Sequence, residues 1–271
     1  MSYRIMDLKD KQKTSMEILV YVAEFCESKN IRYYLAYGTL LGAIRHRGFI
    51  PWDDDIDLFL PRPDYDRFLS EFVTSSNYEL VSCLNRSDYV FPYAKVINRK
   101  TKMLLSSGKI IDLGLGIDLF PIDGIPDDYD ISEAEKIFIN KNKVFLDFVQ
   151  RIDAYKYITP SSLKDYIKKG LYRVTLSLGV LRNKGQLIST NPYNSDYDRC
   201  SKVAPVVGVY YGKFLVFNKE WFNPMSIEFE GHTLVAPSGY DYVLTMIYSN
   251  YMELPPQEER MTTHIANYIW I

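Results

Sequence analysis

Three aspartates at alternate positions, Asp53, Asp55 and Asp57, are the residues of this chain best suited to binding a metal ion. Side chains two residues apart on a β-strand point to the same face, so the three would share one face if the strand begins early enough. Neighbouring carboxylates raise one another's pKa, and a divalent cation relieves that repulsion. Mg²⁺ takes oxygen ligands and commonly shares them with substrate phosphates. The spacing predicts a metal site, and a solvated acidic loop beside a strand is the alternative.

A glycine-containing segment precedes these aspartates. The residues Tyr37-Gly38-Thr39 predict a turn, with a short helix from Leu40 to Arg47 behind it. Gly38 allows the backbone to approach a ligand closely, and the amides that open the helix can hold phosphate oxygens. Such a turn beside a metal-binding carboxylate pair predicts phosphoryl transfer, in which two metal ions would bind the attacking and leaving oxygens.

The segment that joins these motifs carries a family resemblance. Gly38-Thr39 followed by Asp55-x-Asp57 resembles the pattern of the nucleotidyltransferase superfamily, and the run from Tyr37 to Asp57 resembles the LicD family closely. The resemblance is dense from about Tyr34 to Arg67. It continues more loosely through Tyr93–Val96, Gly116–Gly124 and Tyr248–His264. It implies an α+β fold with a nucleotidyltransferase-like mixed sheet flanked by helices, a helical insertion and a C-terminal lobe.

The resemblance also implies a chemistry. The best-known bacterial members of the LicD family are phosphocholine transferases, and relatives of the fukutin group transfer ribitol phosphate. By resemblance, this chain is a Gram-positive-like enzyme that moves phosphocholine from CDP-choline to a lipid-linked glycan precursor of the teichoic-acid or lipopolysaccharide type. It would release CMP and use one or two Mg²⁺ ions, or Mn²⁺, with no nucleic acid as partner. The alternatives are transfer of ribitol phosphate or AMP, or a non-catalytic protein that binds choline or a nucleotide.

Later segments supply further candidates for catalysis. Asp118 lies in the apolar run Gly116–Phe120, where a carboxylate needs a partner, and it is the first choice for a third carboxylate, with Asp123 as the second. It would bind a metal ion or take the proton of the acceptor hydroxyl. The alternative is an aspartate that caps a turn at Pro121. The predicted catalytic residues are Asp55, Asp57 and Asp118, and the predicted metal ligands are Asp53, Asp55, Asp57 and Asp118.

A second group of residues is predicted to bind the donor. Arg45 and Lys95 could hold phosphate oxygens, and each could instead form a surface or internal ion pair. By resemblance, the segment Pro255–His264 closes over the site, although a lone histidine such as His264 is more often structural. Choline requires aromatic faces, for which Trp52 and many of the 23 tyrosines are available. The predicted donor-binding residues are Tyr37, Gly38, Thr39, Gly42, Arg45, Trp52, Lys95 and His264.

Periodicity divides the chain into three predicted parts. Residues 1–130 form the catalytic core, 131–205 a mainly helical insertion that faces the acceptor or the membrane, and 206–271 a C-terminal segment that completes the site. Helices are predicted over Asp7–Asn30, Asp64–Phe72 with Asp64 as N-cap, Ser132–Ile152, Leu163–Leu181 and Ser238–Tyr248, with an exposed loop over Asn183–Ser201. Strands are predicted over Ile31–Ala36, Asp55–Leu60, Glu79–Cys83, Tyr93–Asn98 and Gly116–Phe120.

Composition and charge narrow the class of protein. With 47% apolar residues and a net charge of −2, the chain is neither disordered nor a general nucleic-acid-coating protein. Its 3 cysteines lack a CxxC pair, and the absence of a signal peptide and of an apolar run of about 18 residues predicts a cytoplasmic protein. A basic amphipathic helix over Leu163–Lys184 predicts peripheral contact with the inner face of the membrane. The alternative is a helix packed on the core with a solvated basic face.

Overall fold

The computed structural model describes residues 3–86, 89, 91–105, 108–139, 162–177, 191, 193, 195–205, 214–261 and 266–271. Within this part of the chain, helices flank a curled mixed sheet, which confirms the predicted α+β class. The helices are α1 (Leu8–Lys29), α2 (Tyr37–His46), α3 (Arg62–Glu71), α4 (Ile131–Phe138), α5 (Leu163–Ser177) and α6 (Tyr240–Tyr248). The strands are β1 (Tyr34–Leu35), β2 (Asp57–Pro61), β3 (Tyr78–Val81), β4 (Ala94–Asn98), β5 (Thr101–Leu104), β6 (Ile110–Ile111), β7 (Gly116–Ile125), β8 (Lys202–Ala204), β9 (Phe217–Asn218), β10 (Pro224–Phe229), β11 (His232–Pro237) and β12 (Asn267–Trp270).

The central sheet is organised around β7. The strand order is β1-β2-β7-β4-β3, and β8 extends the sheet from β7 to β9. Strand β2 runs parallel to β7, whereas β4 and β8 run antiparallel to it. Strand β7 has 10 residues: its first seven pair with β2 and β4, and its last three pair with β8. A hairpin of β10 and β11 and a small sheet of order β12-β5-β6 lie outside the central sheet.

Helix α1 confirms the prediction made from its periodicity. Asp7 caps it through a reciprocal capping box with Asp10, and Asn30 ends it in the left-handed conformation with φ 51°. Ile18, Leu19 and other apolar residues on one face of α1 are completely buried in the main core. The helix therefore lies against the sheet and presents its N-terminal turns to the loop that precedes β2.

Several predicted boundaries differ from the structure, and three of them bear on candidate residues. Tyr37-Gly38-Thr39 forms the first turn of α2 instead of a separate turn, because Ala36 is extended and the helix begins directly after it. Asp64 lies inside the first turn of α3 rather than capping it, since Pro63 favours a helix start at Arg62. Strand β7 continues through Pro121, so Asp118 does not cap a turn there.

The second half of the chain is described in part. Helices α4, α5 and α6 lie where helices were predicted, while the predicted continuations over 140–152 and 178–181 lie outside the described residues. In the described part of the predicted exposed loop Asn183–Ser201, Tyr197 and Cys200 are buried, because they pack closely against Gly124 of β7. None of the helices described has both the length and the apolar character needed to cross a membrane.

Candidate active site

Three charged residues lie next to one another across the middle of the sheet. Asp57, the first residue of β2, pairs in register with Asp118 of β7, and Asp118 pairs in register with Lys95 of β4. Side chains at paired positions of neighbouring strands project to the same face. The Lys95 Nζ atom lies 2.5 Å from Asp118 Oδ1. We call this set of Asp57, Asp118 and Lys95 the charged row.

The close carboxylates of the charged row shift the pKa values of its members. Burial, followed by the charges of Asp55, Asp118 and Asp53, raises the pKa of Asp57 well above its usual range, and Lys95 partly opposes this effect. Burial disfavours the charged form of Lys95, but the carboxylate of Asp118 outweighs it and raises the lysine pKa. For Lys95, the sequence left open phosphate binding or an internal ion pair, and the structure shows the ion pair. The positive charge of Lys95 lies next to the carboxylates.

The N-terminus of α2 lies beside the charged row. Thr39 Oγ1 accepts a hydrogen bond from the backbone N–H of Asp57 at 2.9 Å, which fixes the start of β2 against the first turn of the helix. A Cβ atom added to Gly38 would lie 2.9 Å from Asp53 Oδ2, so the glycine leaves room for that carboxylate. The first amides of a helix carry partial positive charge and bind anions. This end of α2 can therefore stabilise negative charge near Asp53 and Asp57.

Tyr37 and Gly42, two predicted donor-binding residues, have clear packing roles. The Tyr37 ring is buried and contacts Phe59 and Phe120 edge-on, with ring centroids 4.7 and 5.5 Å away. A Cβ on Gly42 would meet the carbonyl oxygen of Gly48 at 2.4 Å, so only glycine allows this close approach of backbone to α2. Packing alone accounts for both residue types.

The predicted strand that would align Asp53, Asp55 and Asp57 is shorter than expected. Strand β2 begins at Asp57, so Asp53 and Asp55 lie in the preceding loop and the alternation of a strand does not place them on one face. The loop is fixed instead by hydrogen bonds to other parts of the chain. Gln12 of α1 donates to the Asp53 carbonyl at 2.8 Å.

A buried ion pair also fixes this loop and was missed from the sequence. Lys11 Nζ lies 2.7 Å from Asp54 Oδ2, and the same ammonium group donates to the carbonyl of Ala266 at 3.1 Å. Lys11 and Asp54 are 43 positions apart, so local patterning could not pair them. The only signal was the run Asp53-Asp54-Asp55, whose middle member would point away from its neighbours in an extended segment and would need its own cation.

The charged row suits a magnesium ion that arrives with a phosphate-bearing substrate. Among the described residues, no group of three or more His, Cys, Asp or Glu side chains is arranged in advance to hold a metal ion. Mg²⁺, however, is usually bound through one or two carboxylates, with waters and substrate phosphates as the remaining ligands. Asp57 and Asp118 supply such a pair, and Asp55 and Asp53 are close enough to act on the charge of Asp57.

Arg45 and Trp52 connect the site to the C-terminal segment. Arg45 donates to the carbonyls of Tyr251 at 2.8 Å and Glu253 at 3.2 Å, and burial lowers its pKa. The guanidinium of Arg260 lies over the Trp52 ring, 5.9 Å from its centroid. Arg45 therefore holds backbone carbonyls, whereas Trp52 already accepts a cation on its face. The remaining predicted donor residue, His264, lies outside the described residues.

Asp123, the second choice for a third carboxylate, is not part of this site. Its side chain is completely buried and forms a bidentate ion pair with Arg62, with Nε–Oδ1 2.6 Å and Nη2–Oδ2 2.9 Å. It lies five residues beyond Asp118 on β7, a distance of roughly 16 Å at about 3.3 Å per residue. That alternative is therefore wrong, because both carboxylate oxygens are bound elsewhere.

Comparison with known proteins finds similarity to a family of transferases. A family model described as LicD/FKTN/FKRP, nucleotidyltransferase domain, matches residues 30–128. The lipopolysaccharide cholinephosphotransferase LicD of Haemophilus influenzae is 29% identical over 265 residues, covering 96% of this chain and 97% of that protein. The human ribitol 5-phosphate transferase FKRP is 53% identical over 38 residues, which is 14% of this chain and 8% of that protein. The matched domain contains α2, β2, β4 and the charged row, so residues 30–128 are similar to the nucleotidyltransferase domain of the LicD family.

Proposed function

We propose that this chain transfers phosphocholine from CDP-choline to a sugar hydroxyl of a cell-envelope glycan precursor and releases CMP. The observation that carries the proposal is the register of β2, β7 and β4, which groups Asp57, Asp118 and Lys95 beside the N-terminus of α2. Metal-binding carboxylates, a lysine and backbone amides recur in phosphoryl-transfer sites. The similarity over almost the full length to a lipopolysaccharide cholinephosphotransferase supports choline as the transferred alcohol.

In this proposal, the acceptor oxygen attacks the phosphorus next to choline, and the bond from that phosphorus to CMP breaks. The proton of the acceptor hydroxyl passes to a carboxylate, for which Asp118 is the first candidate. Lys95 holds the Asp118 carboxylate in place at 2.5 Å, and its positive charge favours the negative charge on the transferring group. The first amides of α2, at Gly38 and Thr39, would bind phosphate oxygens of the donor.

A magnesium ion is part of the proposal, with Asp57 and Asp118 as its ligands and Asp55 and Asp53 beside them. Bound there, Mg²⁺ would neutralise charge on the donor phosphates and orient them for in-line attack. The support is the crowding of carboxylates around Asp57, which costs free energy without a counter-charge. Mn²⁺ also takes oxygen ligands and would be expected to substitute.

Trp52 is the proposed contact for the quaternary ammonium group of choline. This group can neither donate nor accept hydrogen bonds, so an aromatic face is its best partner. The guanidinium of Arg260 lies over the Trp52 ring at 5.9 Å, so the ring is already placed for a cation–π contact, and choline would take the place of Arg260 there. His46 contacts the same ring edge-on, with centroids 6.4 Å apart, and fixes its orientation.

A donor screen tests the proposal. The full chain with Mg²⁺ would be given CDP-choline, CDP-ribitol or ATP together with cell-envelope lipid extract, and released CMP or AMP would be measured. We expect release from CDP-choline, dependent on the extract and abolished by chelation. CDP-ribitol is included because the match to the ribitol 5-phosphate transferase covers only the motif region and does not identify the donor. Acceptor fractions of lipopolysaccharide type and teichoic-acid type distinguish the two glycan classes.

Matched variants make the screen decisive. Asp57→Asn should remove turnover, whereas Asp112→Asn, which changes an aspartate whose side chain is 83% exposed, should not. Release from CDP-ribitol or ATP alone would replace phosphocholine with another transferred group. Tight binding of CDP-choline by calorimetry with no release from any donor would instead indicate a non-catalytic binding protein.

A further inference from the structure

The apolar face of helix α5 is exposed to solvent. Leu163, Ile167 and Leu171 follow one another at intervals of four residues along one side of the helix, and their side chains are 77, 64 and 66% exposed. The charged residues Lys168 and Lys169 of the same helix are partly buried. A surface helix normally does the opposite, with its apolar stripe on the core and its charges in water.

The apolar face is wider than these three residues. Tyr166 and Val174 are also exposed, at 63 and 52%, and their positions on the helical wheel flank or overlap the stripe. Scattered exposed apolar residues are normal, but a contiguous face of five on one helix marks an interaction surface. We call this set of Leu163, Tyr166, Ile167, Leu171 and Val174 the apolar face of α5.

The charges beside the apolar face are almost all positive. Between residues 163 and 177 the sequence contains Lys164, Lys168, Lys169 and Arg173, and Asp165 is the only acid. Asp165 takes part in the N-terminal cap, where it accepts from Ser162 Oγ at 2.8 Å. Basic residues around an apolar face are typical of helices that lie in the interface of a lipid bilayer.

We propose that α5 docks on an anionic lipid surface, with its apolar face at the boundary of headgroups and acyl chains and Lys164 at the headgroups. Charge complementarity selects this occupant, since Lys164 is exposed beside the apolar face and the helix sequence has four basic residues against one acid. A second copy of the chain would bring the same positive charges against them. The inference goes beyond the proposed transfer reaction, because it concerns where the protein works, and a lipid-linked acceptor would be presented at such a surface.

Vesicle flotation of the full chain tests this inference without any measurement of activity. Vesicles of phosphatidylcholine alone would be compared with vesicles that contain about one third phosphatidylglycerol, at low salt. We expect binding to the anionic vesicles only, and a loss of at least about tenfold in the partition coefficient for the variant Ile167→Ser/Leu171→Ser. Lys164→Gln should weaken binding about fivefold, which corresponds to roughly 1 kcal/mol per basic residue near the surface.

The control variant replaces two exposed apolar residues outside α5 with serine. Val73→Ser/Leu84→Ser changes side chains that are 75 and 51% exposed and should leave vesicle binding unchanged. Circular dichroism should show the same fold for both double variants, because all four side chains are exposed. Absence of binding at low salt, or equal binding by the two double variants, would overturn the inference. Concentration-dependent self-association that only Ile167→Ser/Leu171→Ser removes would assign the face to a second copy and would also overturn it.

Discussion

Replacing Asp123 with asparagine separates two roles that a buried carboxylate on β7 could have. In the structure, Asp123 is bound on both oxygens by Arg62, and the two side chains are 0 and 8% exposed. Asp123→Asn would therefore leave the Arg62 guanidinium buried without its counter-charge. A catalytic Asp123 would instead lose activity on substitution and leave stability almost unchanged.

The burial of the Arg62–Asp123 ion pair sets the loss of stability that we expect from Asp123→Asn. Removing one partner of a buried ion pair costs about 3–5 kcal/mol, and asparagine retains one acceptor oxygen, so we expect roughly 3 kcal/mol. For a chain of this size, each kcal/mol lowers Tm by about 2–4 °C, which predicts a decrease of roughly 6–12 °C. Little discount for solvent screening applies, because neither side chain is accessible. The double variant Arg62→Met/Asp123→Leu should recover most of the loss, since it removes both buried charges together.

Thermal unfolding and initial rates would be measured for Asp123→Asn beside Asp118→Asn, which makes the same chemical change on the same strand. Asp118→Asn should lower turnover about 100-fold or more, because the carboxylate acts on the transferring group, and should change Tm little. The change in Tm should be small for two reasons. The side chains of Asp118 and Lys95 are 16 and 22% exposed, and asparagine removes the charge repulsion between position 118 and Asp57. An Asp123→Asn protein with unchanged Tm and no turnover would refute the reasoning.

Three other predictions concern packing and accessibility. Gly42→Ala should cost about 1–3 kcal/mol in thermal unfolding, because its Cβ would lie 2.4 Å from the Gly48 carbonyl oxygen; a raised KM with unchanged Tm would instead support donor binding. Lys11→Met should lower Tm more than Lys9→Met, since it leaves Asp54 buried without its ammonium partner, and equal Tm values would contradict this. A thiol reagent at pH 8 should react slowly with the native chain and completely with the chain unfolded in guanidinium, because burial raises the pKa of Cys26 to about 12. Fast reaction of the native chain would show that a thiol is accessible. The buried thiols are Cys26, Cys83 and Cys200.

Elements held by local interactions could be predicted from the sequence. Helix α1 is the clearest case, since its apolar spacing, the cap at Asp7 and the left-handed Asn30 are all encoded within the helix and its flanks. The first turn of α2 could not be predicted in the same way, because Tyr, Gly and Thr favour a turn by intrinsic propensity. There the Tyr37 ring packs against Phe59 and Phe120, and this tertiary contact stabilises a helix start that the local sequence disfavours.

The residue types of the site could be predicted, but their pairing could not. Asp57 was identified from the alternating aspartates and Asp118 from its apolar run, yet their proximity depends on the parallel register of β2 and β7. The two residues are 61 positions apart, and four other strands lie between β2 and β7 in the chain. The ion pair of Lys95 with Asp118 depends in the same way on the antiparallel register of β4 and β7. A one-residue shift in either pairing would move one partner to the opposite face of the sheet.

Some of the contacts that fix the site come from segments outside the region that carries the family motif. Residues 30–128 contain Asp57, Asp118 and Lys95, but the loop before β2 is fixed by Lys11 from α1, whose ammonium group also binds the carbonyl of Ala266. Arg45 lies inside the matched region, yet its partners are backbone carbonyls of residues 251 and 253. A functional side chain must be held by residues that are themselves fixed, and the matched region alone would contain the charged row without the contacts from Lys11, Ala266 and the segment at 251–253. The alignment with the Haemophilus influenzae relative is consistent with this requirement, since it covers 96% of this chain and extends well beyond residues 30–128.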